Sequence, residues 1–189
     1  MPHIQLDPML PGIRSLFAFR PETAKPLSEL AHILLHSESS LTRAERELIA
    51  TYVSYQNDCF SCQTAHGAIA SYQLGGNDAL VDQVKRDPEE AGISDKLKSL
   101  LRVAAAVQKG GKSVTDVEIN TARAAGATDL EIHDTVLIAA AFCMYNRYVD
   151  GLATWAPPNP QGYKGRASQV AQDGYLRILK DIQAVQSGV

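Results

Sequence analysis

From Leu27 onward the apolar residues recur with a helical period, and each break in the pattern falls on a residue type that starts or stops helices. Pro26 suits the first position of a helix over 26–37. Thr42-x-x-Glu45 is a capping box that opens a second helix through Ile49 and Val53 to Tyr55. Asn57 and Asp58 supply the N-cap of a third, from Cys59 to Leu74, stopped by Gly75-Gly76. A shorter helix follows over 77–85. Ser94-Asp95 starts another that ends at Gly110-Gly111, Thr115 caps the next as far as Gly126, and Thr128-Asp129 caps a long apolar helix to about Leu152. No stretch alternates as a strand would, so the chain is expected to be all-α, helix packed on helix.

The ends read differently. Residues 1–26 carry Pro2, Pro8, Pro11, Pro21 and Pro26, which predicts an extended arm with one short helical turn at 13–19. Residues 27–155 form the helical domain. A Pro-rich loop at 156–162 leads to a single last helix over 167–185, with Val170, Leu176, Leu179, Ile182 and Val185 as its apolar stripe. That helix either folds back or crosses to a neighbouring subunit. The long helix at 129–152, apolar around most of its circumference, is expected to be buried on several sides.

Composition narrows the function. The chain has 189 residues and a formal net charge of −3, with its 18 Lys and Arg dispersed, so it lacks the clustered basic surface of a nucleic-acid binder. The longest uncharged apolar run, 135–146, is far short of the roughly 20 residues that span a bilayer. The N-terminus lacks the basic start and apolar run of a signal peptide. A cytoplasmic location is expected, where a C-x-x-C serves catalysis or metal binding rather than a structural disulfide. The three cysteines, Cys59, Cys62 and Cys143, are too few for a disulfide framework.

Cys59, Cys62 and His66 carry the chemistry. At about 100° per residue, Cys62 and His66 stand about 300° and 340° round a helix from Cys59, so all three project from one face. His66 lies one turn from Cys62, in reach of its proton. The thiolate is the nucleophile toward a peroxide oxygen or a disulfide sulfur, and an ordinary thiol with a pKa near ~8.5 is mostly protonated at neutral pH. A sulfenic acid formed on one sulfur would condense with the second to a disulfide. The helix dipole alone favours Cys59 as the thiolate. Glu47 sits on the preceding helix, where helical phase does not place it; it either orients His66 or is a solvated charge pairing with Arg43.

The pattern Glu-x11-Cys-x2-Cys-x3-His, as Glu47, Cys59, Cys62 and His66, resembles the active-site signature of the AhpD-like alkylhydroperoxidases of the carboxymuconolactone decarboxylase superfamily. The segments 41–50, Ile132-His-Asp134 and 145–151 resemble its peroxidase-related branch, and the likeness covers about residues 27–153. The resemblance implies an AhpD-like helical bundle assembled as trimers or hexamers, reducing organic hydroperoxides without a metal or organic cofactor. It implies that Cys62 is the peroxidatic cysteine. Cys59 would be the resolving cysteine, which exchanges with a protein thiol reductant. His66 and Glu47, linked by water, would be the proton relay. This reverses the order that the dipole favours. The chain departs from the best-known members at Ser61, where they carry a second His.

Other readings remain at this point. The pair could serve a peroxiredoxin as a disulfide reductase or adapter, or the chain could be a redox-regulated or zinc-binding interaction protein. Cys59, Cys62 and His66 give three zinc ligands, one short of a closed structural site. His32 and His36 have metal-pair spacing but lack the general-base Glu of a zinc protease, so partial burial is expected. Cys143 is expected in the core. His133, Asn146, Arg147 and Asp150 are expected to tie helices together through ion pairs, the alternative being that they line the site.

Overall fold

A computed structural model describes residues 1–187, with side chains described through Ile182. Ten α-helices follow one another: α1 Ile13–Phe19, α2 Pro21–Leu35, α3 Arg43–Gln56, α4 Phe60–Gln73, α5 Asp78–Arg86, α6 Asp95–Lys109, α7 Asp116–Ala124, α8 Asp129–Gly151, α9 Gln161–Asp173 and α10 Arg177–Ser187. A 3-10 turn, Gly111–Ser113, joins α6 to α7, and there is no strand among the described residues, so the chain is all-α as its periodicity predicts. No helix among the described residues is long and apolar enough to cross a membrane.

The caps explain why the helices begin where they do. Thr42, Thr115 and Thr128 each open a complete capping box, with Glu45, Glu118 and Glu131 returning a bond to the cap backbone. Each such cap is worth about 1 kcal/mol. Ser94 caps α6 through Leu97 N–H. The core lies where α3, α6 and α8 meet, around Leu48, Ile49, Val53, Leu100, Leu101, Ile138 and Phe142.

Two terminal readings need correction. The stretch 1–26 is not an extended arm beyond its first dozen residues, because α2 begins at Pro21 and runs through Pro26. Pro21 takes the permissive first turn. Pro26 sits inside the helix, and the carbonyl it cannot pair with belongs to Glu22, which is exposed to solvent. The last helix is two helices. Gly174, at φ 74° and ψ −173°, breaks it between α9 and α10, in backbone space essentially restricted to glycine. Both halves fold back on their own chain, α9 against α4 and α10 against α1 and α2. The side chain of Val185 lies outside those described.

The long helix is only partly buried. Leu130, Leu137 and Met144 lie exposed along one face of α8.

Candidate active site

The site is built on the α3–α4 hairpin. Its two-residue turn, Asn57-Asp58, is tightened by Asp58 in the left-handed region at φ 56°. In consequence Asp58 is not the cap of α4: Cys59 itself holds that position, and Phe60 is the first helical residue. Cys62 is then third in the helix, and His66 follows one turn later. All three cysteines are free.

Cys59 and Cys62 differ in access. Cys59 is 0% exposed, sealed by Leu16 of α1 and Val149 of α8. Cys62 is partly exposed and lines a cavity of about 540 Å³ roofed by α1, α9 and α10. Ser61 lies between them, its hydroxyl 3.9 Å from each sulfur. Where the resemblance leads one to expect a second imidazole, as in the best-known members, this chain has the Ser61 hydroxyl.

The hairpin sets Glu47 of α3 beside His66 of α4. Glu47 is 1% exposed and does not pair with Arg43, whose guanidinium instead donates to the His36 carbonyl. Its Oε2 accepts from His66 Nδ1 at 2.8 Å. The contact is direct, without the intervening water that the resemblance implies, because the tight turn brings the two helices into contact. Glu47 Oε1 accepts from the Tyr175 hydroxyl, which also stands 3.2 Å from His66 Nδ1. The Tyr175 ring stacks on the imidazole at 5.8 Å, and Phe142 meets it edge-on at 4.6 Å. With Nδ1 held, Nε2 is the nitrogen left for a thiol proton.

The electrostatics favour Cys62. A hydrogen bond from Cys59 lowers its pKa against the opposing effect of burial. The charge of His66 and bonds from Asn146 and Ser61 add to that, and the thiol comes down to about 7. Cys59 moves up, held as a thiol by its bond to Cys62, by burial and by the neighbouring negative sulfur. The thiol that is lowered is therefore Cys62 and not Cys59, which stands nearer the helix start. Cys59 is also the less accessible of the two sulfurs, and Cys62 the one that faces the cavity.

Of the four residues expected in ion pairs, only His133 has one among the described residues, with Asp134 at 3.0 Å on the surface. Asn146 is buried and bonds Asn57 at 2.8 Å and Ser54 at 3.1 Å; Asn57 is held in turn by Gln108 at 2.9 Å. The exposed Asp150 accepts from Cys59 Sγ at 3.4 Å. Burial of its neighbourhood raises its pKa despite the Cys59 bond. Arg147 is exposed, and no ion pair to it occurs among the described residues. Cys143 is buried as expected, though Asn57 donates to its sulfur at 3.5 Å. His32 and His36 are partly buried, rings 4.8 Å apart against Gly174. No group of three or more His, Cys, Asp or Glu that could hold a metal occurs among the described residues.

Tyr175 and Tyr163 escaped the sequence reading. Tyr163 lines the cavity, its pKa pushed up to about 12 by burial and the nearby sulfur charges. Asp173-Gly-Tyr175, a glycine in the middle of a supposed helix, was the available signal for a break that swings a tyrosine onto the site.

The carboxymuconolactone decarboxylase family model matches residues 21–84 and 77–156, and the chain belongs to that family, of whose superfamily the AhpD-like proteins are part. An uncharacterized peroxidase-related protein from Silicibacter sp. TM1040 has a similar structure: TM-score 0.73, 28% identity, covering 82% of this chain and 79% of that one. An uncharacterized peroxidase-related protein from Ralstonia eutropha JMP134, described as an alkylhydroperoxidase AhpD core, also has a TM-score of 0.73, at 27% identity and 81% and 79% coverage. A protein of unknown function from Agrobacterium tumefaciens shares the fold at 23% identity and TM-score 0.67, covering 76% of this chain and 97% of that one. No curated protein matches the sequence.

Proposed function

We propose that this protein is a thiol peroxidase that reduces organic hydroperoxides through Cys62 and Cys59. The observation that carries the reading is the buried Glu47–His66 contact at 2.8 Å, one helical turn from a thiol lowered to about 7. The names of the two peroxidase-related structures support the same class.

In this reading His66 takes the Cys62 proton while Glu47 stabilises the resulting imidazolium. The thiolate attacks the terminal peroxide oxygen. An S–O bond forms and the O–O bond breaks, two electrons pass from sulfur to peroxide, and the departing alkoxide takes the proton from His66 to leave as an alcohol. Cys59 then attacks the Cys62 sulfenic acid; its proton and the departing hydroxide make water, and a disulfide remains. A protein dithiol reduces that disulfide by exchange. The chemistry requires no metal or organic cofactor. Assembly as a homo-oligomer belongs to the same reading, supported by the exposed apolar face of α8.

Mass spectrometry of the reduced protein after one equivalent of cumene hydroperoxide tests it. The expected product is a Cys59–Cys62 disulfide, with Cys62→Ser consuming no peroxide above the buffer rate. Equal consumption by wild type and Cys62→Ser would overturn the proposal, and stoichiometric zinc in the purified protein would favour a metal module instead.

A further inference from the structure

The cavity above Cys62 is far larger than a small peroxide requires. Its 540 Å³ falls within the roughly 300–1,000 Å³ of small-molecule sites, and Ile13, Phe17, Leu27, Ile69, Val170 and Ile178 make much of the wall apolar. Yet three buried polar atoms belonging to residues of that wall have no hydrogen-bond partner: Ser28 Oγ, Tyr163 OH and Arg14 Nε. Buried polar groups are nearly always paired, so three orphans around one cavity point to a ligand with polar groups of its own.

The charges on the wall have one sign. Arg14 and Arg166 line the cavity, and no Asp or Glu does. Arg166 has Asp181 at 3.0 Å, and Arg177 pairs with Asp173 and lies 3.5 Å from Asp181. Asp173 and Asp181 are thus both already engaged by Arg166 and Arg177. Arg14 has no ion-pair partner within contact distance among the described residues; burial and the charge of Arg166 disfavour its cation, and only the more distant Asp181, already held by Arg166 and Arg177, offsets them in part. A carboxylate is the group that a planar, unpaired guanidinium holds best.

We propose that the substrate is the hydroperoxide of a long-chain fatty acid, its chain in the apolar cavity, its carboxylate on Arg14 and its peroxide at Cys62. The inference rests on the peroxidase reading and names the substrate class of that site. Tyr163, which stays protonated at neutral pH, supplies an O–H beside the sulfurs for the oxygen that leaves. Ser28 supplies a second donor on the wall. The reaction is the one already written, with a hydroxy fatty acid as the alcohol released.

The test compares second-order rate constants of the reduced protein for an 18-carbon fatty acid hydroperoxide and for its methyl ester, below the concentration at which either aggregates. The wild type is expected to prefer the acid at least ~10-fold, the equivalent of about 1.4 kcal/mol. Arg14→Met should bring the ratio of acid to ester near one, and Arg14→Lys, which keeps the charge, should retain part of the preference. The ratio is internal to each protein, and the wild-type value stands alone if a variant fails to fold. Equal rates for acid and ester, or a preference that survives in Arg14→Met, would overturn the inference. If cumene hydroperoxide is still consumed in that event, the peroxidase reading stands; if no hydroperoxide is consumed, both fall.

Discussion

The single proton on Cys59 has two acceptors within reach, the Asp150 carboxylate at 3.4 Å and the sulfur of Cys62. While Cys62 is a thiolate, the negative sulfur attracts that proton, and Cys59 stays a thiol. Once Cys62 carries an oxygen and has lost its charge, Asp150 is the acceptor that remains. Its raised pKa makes it a better base, and its exposure connects buried Cys59 to water away from the substrate cavity. Asp150→Asn should therefore slow disulfide closure at least ~10-fold, at or below the low end of what a positioned acid–base group supplies. A dione reagent should then trap the accumulated sulfenic acid, detected by mass. Closure at the wild-type rate would exclude this role for Asp150. A second prediction concerns Cys62. A thiolate is the reactive form, so alkylation by iodoacetamide should rise with pH through about 7 and then level off. In Cys59→Ala, which loses the largest cause of the lowering, the inflection should move up toward the ordinary ~8.5. An unchanged profile would mean that the bond between the cysteines does not set the thiol's acidity. At this scale the sequence was informative about which residue types gather, because i, i+3 and i, i+4 spacing follows from helical geometry. Asp150 was legible only as one of four residues that tie helices or line the site, and Tyr175 not at all, since they approach Cys59 and Glu47 from 91 and 128 residues away along the chain.

The elements divide by how local their signals are. Helix starts were readable at Thr42, Thr115 and Thr128, because a capping box is a contract among four neighbouring residues. The start of α4 was misplaced by one residue because Asp58 adopts a positive φ to close the turn, a choice made by the packing of α3 on α4. The α9–α10 break was misread because the apolar stripe continues across it. Gly174 is fixed there by contact as well as by conformation: a side chain would begin 2.5 Å from the His32 ring and 2.9 Å from that of His36. Gly174→Ala should therefore destabilise the protein by about 1–3 kcal/mol from backbone strain alone, with the clash adding to it. Thermal unfolding followed by circular dichroism should show the loss as a Tm lower by several degrees. Tyr175 follows directly, so the same variant should disturb the hydroxyl that holds Glu47 and shift the pH profile of Cys62. An unaltered melting curve would show that the turn tolerates an ordinary residue and does not fix Tyr175.

For the whole molecule, the folded chain satisfies its core but not its surface. Leu130, Leu137 and Met144 recur every seven residues on the outer face of α8 and are 60%, 37% and 42% exposed, although the sequence alone reads that helix as buried on several sides. The reading and the structure agree if a second copy covers the face: an apolar strip along a helix marks an association surface more often than a solvated one. The net charge of −3 is too small for self-repulsion to oppose assembly. Sedimentation velocity at tens of micromolar should therefore find an oligomer. Leu137→Glu, which places a charge at the middle of the strip, should shift it toward monomer while leaving the helical circular dichroism intact. A wild type that sediments as a monomer, or a Leu137→Glu variant that assembles as well as wild type, would remove α8 as the subunit contact. The active site would then have to work within one chain, as its geometry already permits: Glu47, Cys59, Cys62, His66, Asp150 and Tyr175 all come from the same protomer.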